Sequence, residues 1–461
     1  MRQVRGEDRG GRGRLGVRHA GRTRFSQRAS YRWLVLGMAF LAVFGAIGLG
    51  RFGYSAILPA MQEALGITSA AAGGLASWNL AGYVTSAAVG GILASRFGPR
   101  LVVGIGSVVA AVGMLCTGLA NELVAASAGR LLTGLGAGMV LVPSVALMSA
   151  WFGIAQRGMA SAVVSSGSSL ALVIAGPVVP RIIEAGGADG WRSAWYFFAG
   201  LTFVVGLLTF ALQRNRPASS EPSALAESIW TADPGGPRYP CTPDEAAIAV
   251  ALSTWSAVRR RTRRSKVDLA RIVRSGYAWH LGFVYLTFGF AYMIYFTFFQ
   301  KRLIADVAMT SGAAGNLFLL VGIFSIFCGV LWGTVSDRIG RGRALALTFF
   351  LQAVAAVLFA WWPATLGLIV SVTLYGLTSL AVPGIVGAAC GDHFGAVLAS
   401  ASLGLVTIFL GVGQVLGPYL AGKMADIFGS LQNSYLLAAA VFFVGSLLSL
   451  FLPRSAVAEC D

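Results

Sequence analysis

The stretch Gly333-Thr334-Val335-Ser336-Asp337-Arg338-Ile339-Gly340-Arg341-Gly342-Arg343 sets one acid, three arginines and three glycines between two long apolar runs. Such a block reads as a tight charged hinge between two membrane spans. A second copy stands earlier, Gly91-Ile92-Leu93-Ala94-Ser95-Arg96-Phe97-Gly98-Pro99-Arg100, and equivalent residues keep one spacing: 333 − 91 and 338 − 96 are both 242. The chain therefore reads as two similar halves.

Further anchors extend the repeat. Gly176-Pro177 answers Gly417-Pro418 at offset 241, Val142-Pro143 answers Val382-Pro383 at 240, and Phe152-Gly153 answers Phe394-Gly395 at 242. Anchors in the same order and membrane orientation imply a parallel duplication about an axis along the membrane normal.

Composition fixes the solvent. With 56% hydrophobic and 11% charged residues, the chain has too few polar groups to cover a water-soluble globule of 461 residues. A spanning helix needs roughly 20 mostly apolar residues. Runs of that kind fall at 33–60, 70–94, 101–120, 123–149, 160–183 and 193–213, then at 277–300, 312–335, 345–362, 364–389, 397–421 and 432–452. The expected fold is an all-α polytopic membrane protein of twelve transmembrane helices in two six-helix pseudo-repeats.

The net charge of +17 is a matter of topology. Residues 1–32 hold ten Arg against Glu7 and Asp8, and residues 214–275 hold eleven Arg or Lys against six acids. Lys and Arg collect on the cytoplasmic side, so both termini, the central segment and the Arg-bearing hinges are expected there, in a bacterial inner (plasma) membrane. No folded reading surface accompanies the basic stretches, and nucleic acid is not an expected partner. Residues 1–30 read as a disordered basic tail; 31–213 and 276–452 are the two halves, 214–275 a cytoplasmic linker and 453–461 a second tail. The tail and linker are expected to rest on anionic lipid. A short amphipathic helix at 244–258 fits the linker. Five scattered cysteines imply neither a disulfide framework nor a metal site, and no cofactor is expected.

The ionisable residues inside spans are few. No acid falls at the centre of a span, whereas Arg51 lies in the first and Arg130 in the fourth. A charge at a helix centre costs roughly 2.5–3.5 kcal/mol on insertion scales, so such residues face a cavity or a partner. For Arg51 the competing reading is snorkelling to the outer interface; for Arg130 it is a structural bond to neighbouring carbonyls. Two guanidiniums without a carboxylate make an electropositive interior, and the guanidinium fork suits a carboxylate. Tyr54, Asn79, Tyr83, Tyr292, Tyr295 and Gln414 complete the expected substrate-binding set. His280 is the one titratable candidate beside them.

Gly333–Arg343 resembles the inter-span signature of the major facilitator superfamily, with a degenerate copy at Gly91–Arg100. Arg130-Leu131-Leu132-Thr133-Gly134-Leu135-Gly136-Ala137-Gly138 resembles that superfamily's fourth-span motif. The run from Trp151-Phe152 through Arg157-Gly158-Met159-Ala160-Ser161 to Gly190-Trp191-Arg192 is similar to the monocarboxylate and oxalate/formate exchanger branch. Arg51-Phe52-Gly53-Tyr54 looks like related bacterial carriers of undefined substrate. The resemblance implies a secondary carrier working by alternating access, not an enzyme. Its gating residues would be Gly91, Ser95, Arg96, Gly98 and Arg100 with Gly333, Asp337, Arg338, Gly340 and Arg341. By the same resemblance Asp337 should latch onto the start of the fifth span near Arg157–Ser161. Ser95 stands where the family has an acid, so the first latch should be the weaker.

The expected cargo is a small organic anion such as a carboxylate, with a co-transported or exchanged ion as a second partner and a monomer as the working unit. Export of a drug or metabolite is the alternative, drawn from the aromatic seventh span and the Gly-Pro of the fifth. A non-transporting sensor using the 214–275 segment as its output is a third.

Overall fold

The computed structural model describes residues 31–152, 154–215 and 271–453. The basic tail, most of the linker with its 244–258 helix, and the last residues lie outside the described residues. Twelve spans follow in order: α1 Tyr31–Leu65, α2 Ser69–Phe97, α3 Pro99–Leu119, α4 Leu123–Trp151, α5 Ile154–Gly186 and α6 Gly190–Leu212, then α7 Gly276–Thr297, α8 Ser311–Ile339, α9 Arg341–Trp361, α10 Thr365–Phe394, α11 Ala401–Phe428 and α12 Gln432–Leu450.

The duplication is visible in backbone geometry. Thr68 and Thr310, 242 residues apart, cap α2 and α8 by accepting from the amides of Ala71 and Ala313. Gly98 and Gly340, again 242 apart, end those helices at φ +90° and +88° and begin the next ones. Only glycine enters that region without strain, which explains why a glycine closes the hinge motif in both halves. Pro99 follows at the first position of α3, where its missing N–H is not needed.

α10 breaks at Ser379–Leu380, because Pro383 has no N–H for the carbonyl of Ser379. Helical backbone continues from α10 into α11, yet the chain reverses there. A Cβ on Gly387 would lie 3.9 Å from Leu403, a pair that a straight helix would hold about 24 Å apart.

We call the side carrying the 97–100 and 339–343 hinges the tail face and the opposite side the far face. The halves meet through two crossings related by the repeat. A Cβ at Gly73 of α2 would lie 2.1 Å from the Pro418 carbonyl of α11, and one at Gly315 of α8 would lie 2.1 Å from the Gly176 carbonyl of α5. Both pairs, 73/315 and 176/418, are 242 residues apart. Towards the tail face contact between the halves fades: beyond the Gly322–Val173 approach, Cβ atoms at Gly329, Gly333 and Gly404 would meet nothing within 4 Å. The molecule is closed at the far face and splayed at the tail face.

Candidate functional site

Arg51 is carried by a π-helical stretch, Phe44–Phe52, inside α1, where the Gly53 amide bonds back five residues to the Gly48 carbonyl. Such wide turns interrupt α-helices mostly at functional positions. Here the turn carries the Arg51 side chain into the seam between the halves and not out to the interface: Arg51 is 9% exposed. Its guanidinium carbon lies 4.1 Å over the ring of Tyr83 on α2, a cation–π contact. The adjacent Phe52 meets Phe296 and Tyr292 of α7 at 5.0 and 6.3 Å. Among the described residues Nε and Nη2 of Arg51 are buried without a hydrogen-bond partner. A buried guanidinium nitrogen left unmatched is costly, and an acceptor placed there would lower that cost.

Arg130 is the more committed of the two. It is 1% exposed, and its Nη1 donates to the Gly50 carbonyl at 2.6 Å. Its guanidinium carbon lies 4.4 Å from the Tyr54 ring and 5.3 Å from Trp195. Asn79 Nδ2 donates to the Arg130 carbonyl at 3.1 Å, joining α2 to α4. Arg130 therefore braces the carbonyl immediately before Arg51. Among the described residues neither guanidinium has an ion pair, so two positive charges share the interior. The buried Oδ1 of Asn79 and Oε1 of Gln414, on α11, are also unpartnered.

The structure brings Arg51, Tyr83 and Tyr292 to one seam and separates other expected members from it. Tyr54 is fully buried; its hydroxyl donates to the Ala72 carbonyl at 2.8 Å and its ring faces Arg130. Tyr295 departs most from expectation. It stacks on Tyr375 at 3.5 Å and its hydroxyl meets Ser371 Oγ at 3.0 Å, inside the packing of the second half. A helix apolar on every side carries no mark of which tyrosine faces the seam. His280 is tied to the Leu448 carbonyl of α12 at 2.8 Å, a packing contact.

At the tail face, the partners of Arg341 among the described residues all belong to its own half. It donates to Asp337 at 2.5 Å, to Asp392 at 2.8 Å and to Ser336 Oγ at 2.5 Å. Asp337 is 66% exposed and among the described residues bonds Arg341 of its own half; the side chains of 153–155 at the start of α5 lie outside the described residues. The Arg157 side chain lies outside the described residues. In the first copy Ser95 donates to the Ile92 carbonyl of its own helix at 2.7 Å, and Arg100 binds the Phe210 carbonyl at the end of α6 through Nε at 2.8 Å and through Nη2. Arg96 lies over Phe97, its helix neighbour, and Arg338 is exposed. A Cβ at Gly91 would touch only Val142, at 3.6 Å.

Sequence reasoning missed Asp426, Lys301 and Gln300. Asp426 lies past the expected end of the eleventh span at 421. The signal that finds it is the repeat itself: Glu184 stands 242 residues earlier.

A family model described as the Major Facilitator Superfamily matches residues 39–382 and 281–459. The chain belongs to the major facilitator superfamily. This major facilitator is 26% identical over 445 residues to a probable sulfoacetate transporter of Cupriavidus necator, covering 92% of this chain and 95% of that one. It is 23% identical to human monocarboxylate transporter 2, covering 90% and 84%. Its fold matches the inward-facing, occupied structure of a bacterial homolog to the human lysosomal transporter Spinster, with a TM-score of 0.65 at 12% identity over 93% of this chain and 98% of that one. As a major facilitator it is an integral multi-pass membrane protein and a secondary transporter of a small solute, not an enzyme.

Proposed function

We propose that this major facilitator carries a small organic anion, a carboxylate or a sulfonate, between its two halves by alternating access. The observation that carries the reading is Arg51: a buried cation at the seam with two nitrogens that have no hydrogen-bond partner among the described residues. An anion with two oxygens on one centre matches that fork. Arg130 adds positive potential and holds the Gly50 carbonyl, so it positions Arg51 and does not itself grip the cargo. Tyr83 backs the guanidinium, Tyr292 flanks it, and Asn79 and Gln414 offer unpaired carbonyl oxygens to donor groups on the cargo. The similarity to transporters named for sulfoacetate and monocarboxylates supports the same class.

The excess of Arg at the hinges and in the 1–32 and 214–275 segments supports a cytoplasmic tail face in a bacterial plasma membrane. The state described here would then be open to the cytoplasm, and Asp337 would meet α5 only when that side closes. The aromatic α7 is weak support for drug export, because Tyr295 is packed within the second half, stacking on Tyr375 at 3.5 Å. Uptake by proteoliposomes over a panel of short carboxylates and sulfonates tests the proposal. Accumulation or exchange of at least one is expected; transport of a cation with none of the anions would overturn it.

A further inference from the structure

We infer that Asp426 is a far-face latch: its carboxylate caps the first turn of α2 in the opposite half and holds the far side shut. Oδ1 accepts from the Ser69 amide and Oδ2 from the Ala70 amide, both at 2.7 Å. These are short, charge-assisted bonds to two amides that an α-helix cannot satisfy internally, at the end where its dipole favours a negative charge. Residues 357 apart in sequence are joined, one from each half. Lys301, just beyond α7, adds a second tie by donating to Ser69 Oγ at 2.6 Å, and the neighbouring Gln300 amide donates to Ser55 Oγ of α1 at 3.4 Å. Burial pulls the Lys301 ammonium below the usual lysine range, while Asp426 and Asp306 pull it back up. Four elements therefore meet in the seal, α1, α2, α11 and the segment just beyond α7.

The repeat makes the latch one-sided. The counterparts of Asp426 and Ser69 at offset 242 are Glu184, near the end of α5, and Ser311, at the start of α8. The backbones of α5 and α8 touch at Gly176 and Gly315 as closely as those of α11 and α2 do at Pro418 and Gly73. Both helices carry the same threonine cap, Thr68 on α2 and Thr310 on α8, so the difference lies in the acids: Glu184 is exposed, whereas Asp426 reaches the amides of Ser69 and Ala70. One of two equivalent acids is engaged. The inference rests on the meeting of the halves and not on the identity of the cargo.

The test is a spin-label distance between far-face sites in opposite halves, Glu63→Cys and Ile427→Cys, measured by pulsed electron resonance on the full reconstituted chain freed of native cysteines. The wild-type background should give one short-distance population. Asp426→Ala should raise the ratio of long-distance to short-distance molecules by about tenfold, Lys301→Met should raise it less, and Glu184→Gln should leave it unchanged. Asp426→Asn, which keeps one acceptor oxygen without the charge, should fall between and serves if the alanine variant does not fold. Distances unchanged in Asp426→Asn and Asp426→Ala, or an equal shift from Glu184→Gln, would overturn the latch.

Discussion

Arg130 on α4 and Arg51 on α1 have different tasks. Arg130 Nη1 donates to the Gly50 carbonyl inside the buried core, so Arg130→Met removes a buried charge-assisted bond between α4 and α1. A loss of roughly 1–3 kcal/mol is expected, read as a lower unfolding temperature of the purified protein. Arg51→Gln removes a charge that has no protein partner at Nε or Nη2, so it should leave the unfolding temperature unchanged or higher while impairing transport. The opposite ranking in thermal unfolding would reverse the two roles. Sequence alone narrowed the site to these two residues because charge within a span is rare. It did not separate brace from ligand, since the Arg130–Gly50 bond joins residues 80 apart in sequence and only the fold brings them together.

The hinges and helix crossings make predictions at the scale of elements. Gly340 sits at φ +88° with nothing within 4 Å of a Cβ, whereas a Cβ at Gly98, φ +90°, would lie 2.3 Å from Asn215. Gly340→Ala therefore isolates backbone strain of about 1–2 kcal/mol, and Gly98→Ala adds displacement of Asn215, which accepts from the Arg100 amide at 2.8 Å. Unfolding temperatures should fall in the order wild type, Gly340→Ala, Gly98→Ala; equal values would mean that Asn215 moves freely. At the crossings, Gly315→Ala forces a Cβ towards the Gly176 carbonyl, a backbone atom that cannot step aside without separating α5 from α8. The variant should react faster with a membrane-impermeant thiol reagent at a far-face cysteine, and an unchanged rate would contradict the role given to that crossing.

Twelve spans, their two-fold repetition and the hinge glycines were all legible, because apolar length and a 242-residue offset are properties of the sequence itself. The face of each span was not. Tyr295 and Tyr292 are three residues apart on one apolar helix, yet one stacks on Tyr375 and the other meets Phe52 across the seam. Asp426 was hidden for another reason: it acts on the amides of a helix start and not on a charged partner, so a search for opposite charges passes over it.

For the whole molecule the claim is that the halves rock about a seam at which Arg51 presents two guanidinium nitrogens without a partner among the described residues. Both closures then read as carboxylates placed at helix starts: Asp426 on α2 at the far face, and Asp337 expected on α5 when the tail face shuts. The most direct measurement is exchange of a labelled small carboxylate or sulfonate in proteoliposomes, comparing wild type with Arg51→Lys and Arg51→Gln at matched protein content. Wild type should exchange the anion, Arg51→Lys should keep the charge but lose the fork and drop about tenfold in efficiency, and Arg51→Gln should drop about 100-fold or more. Full anion exchange by Arg51→Gln would contradict the assignment.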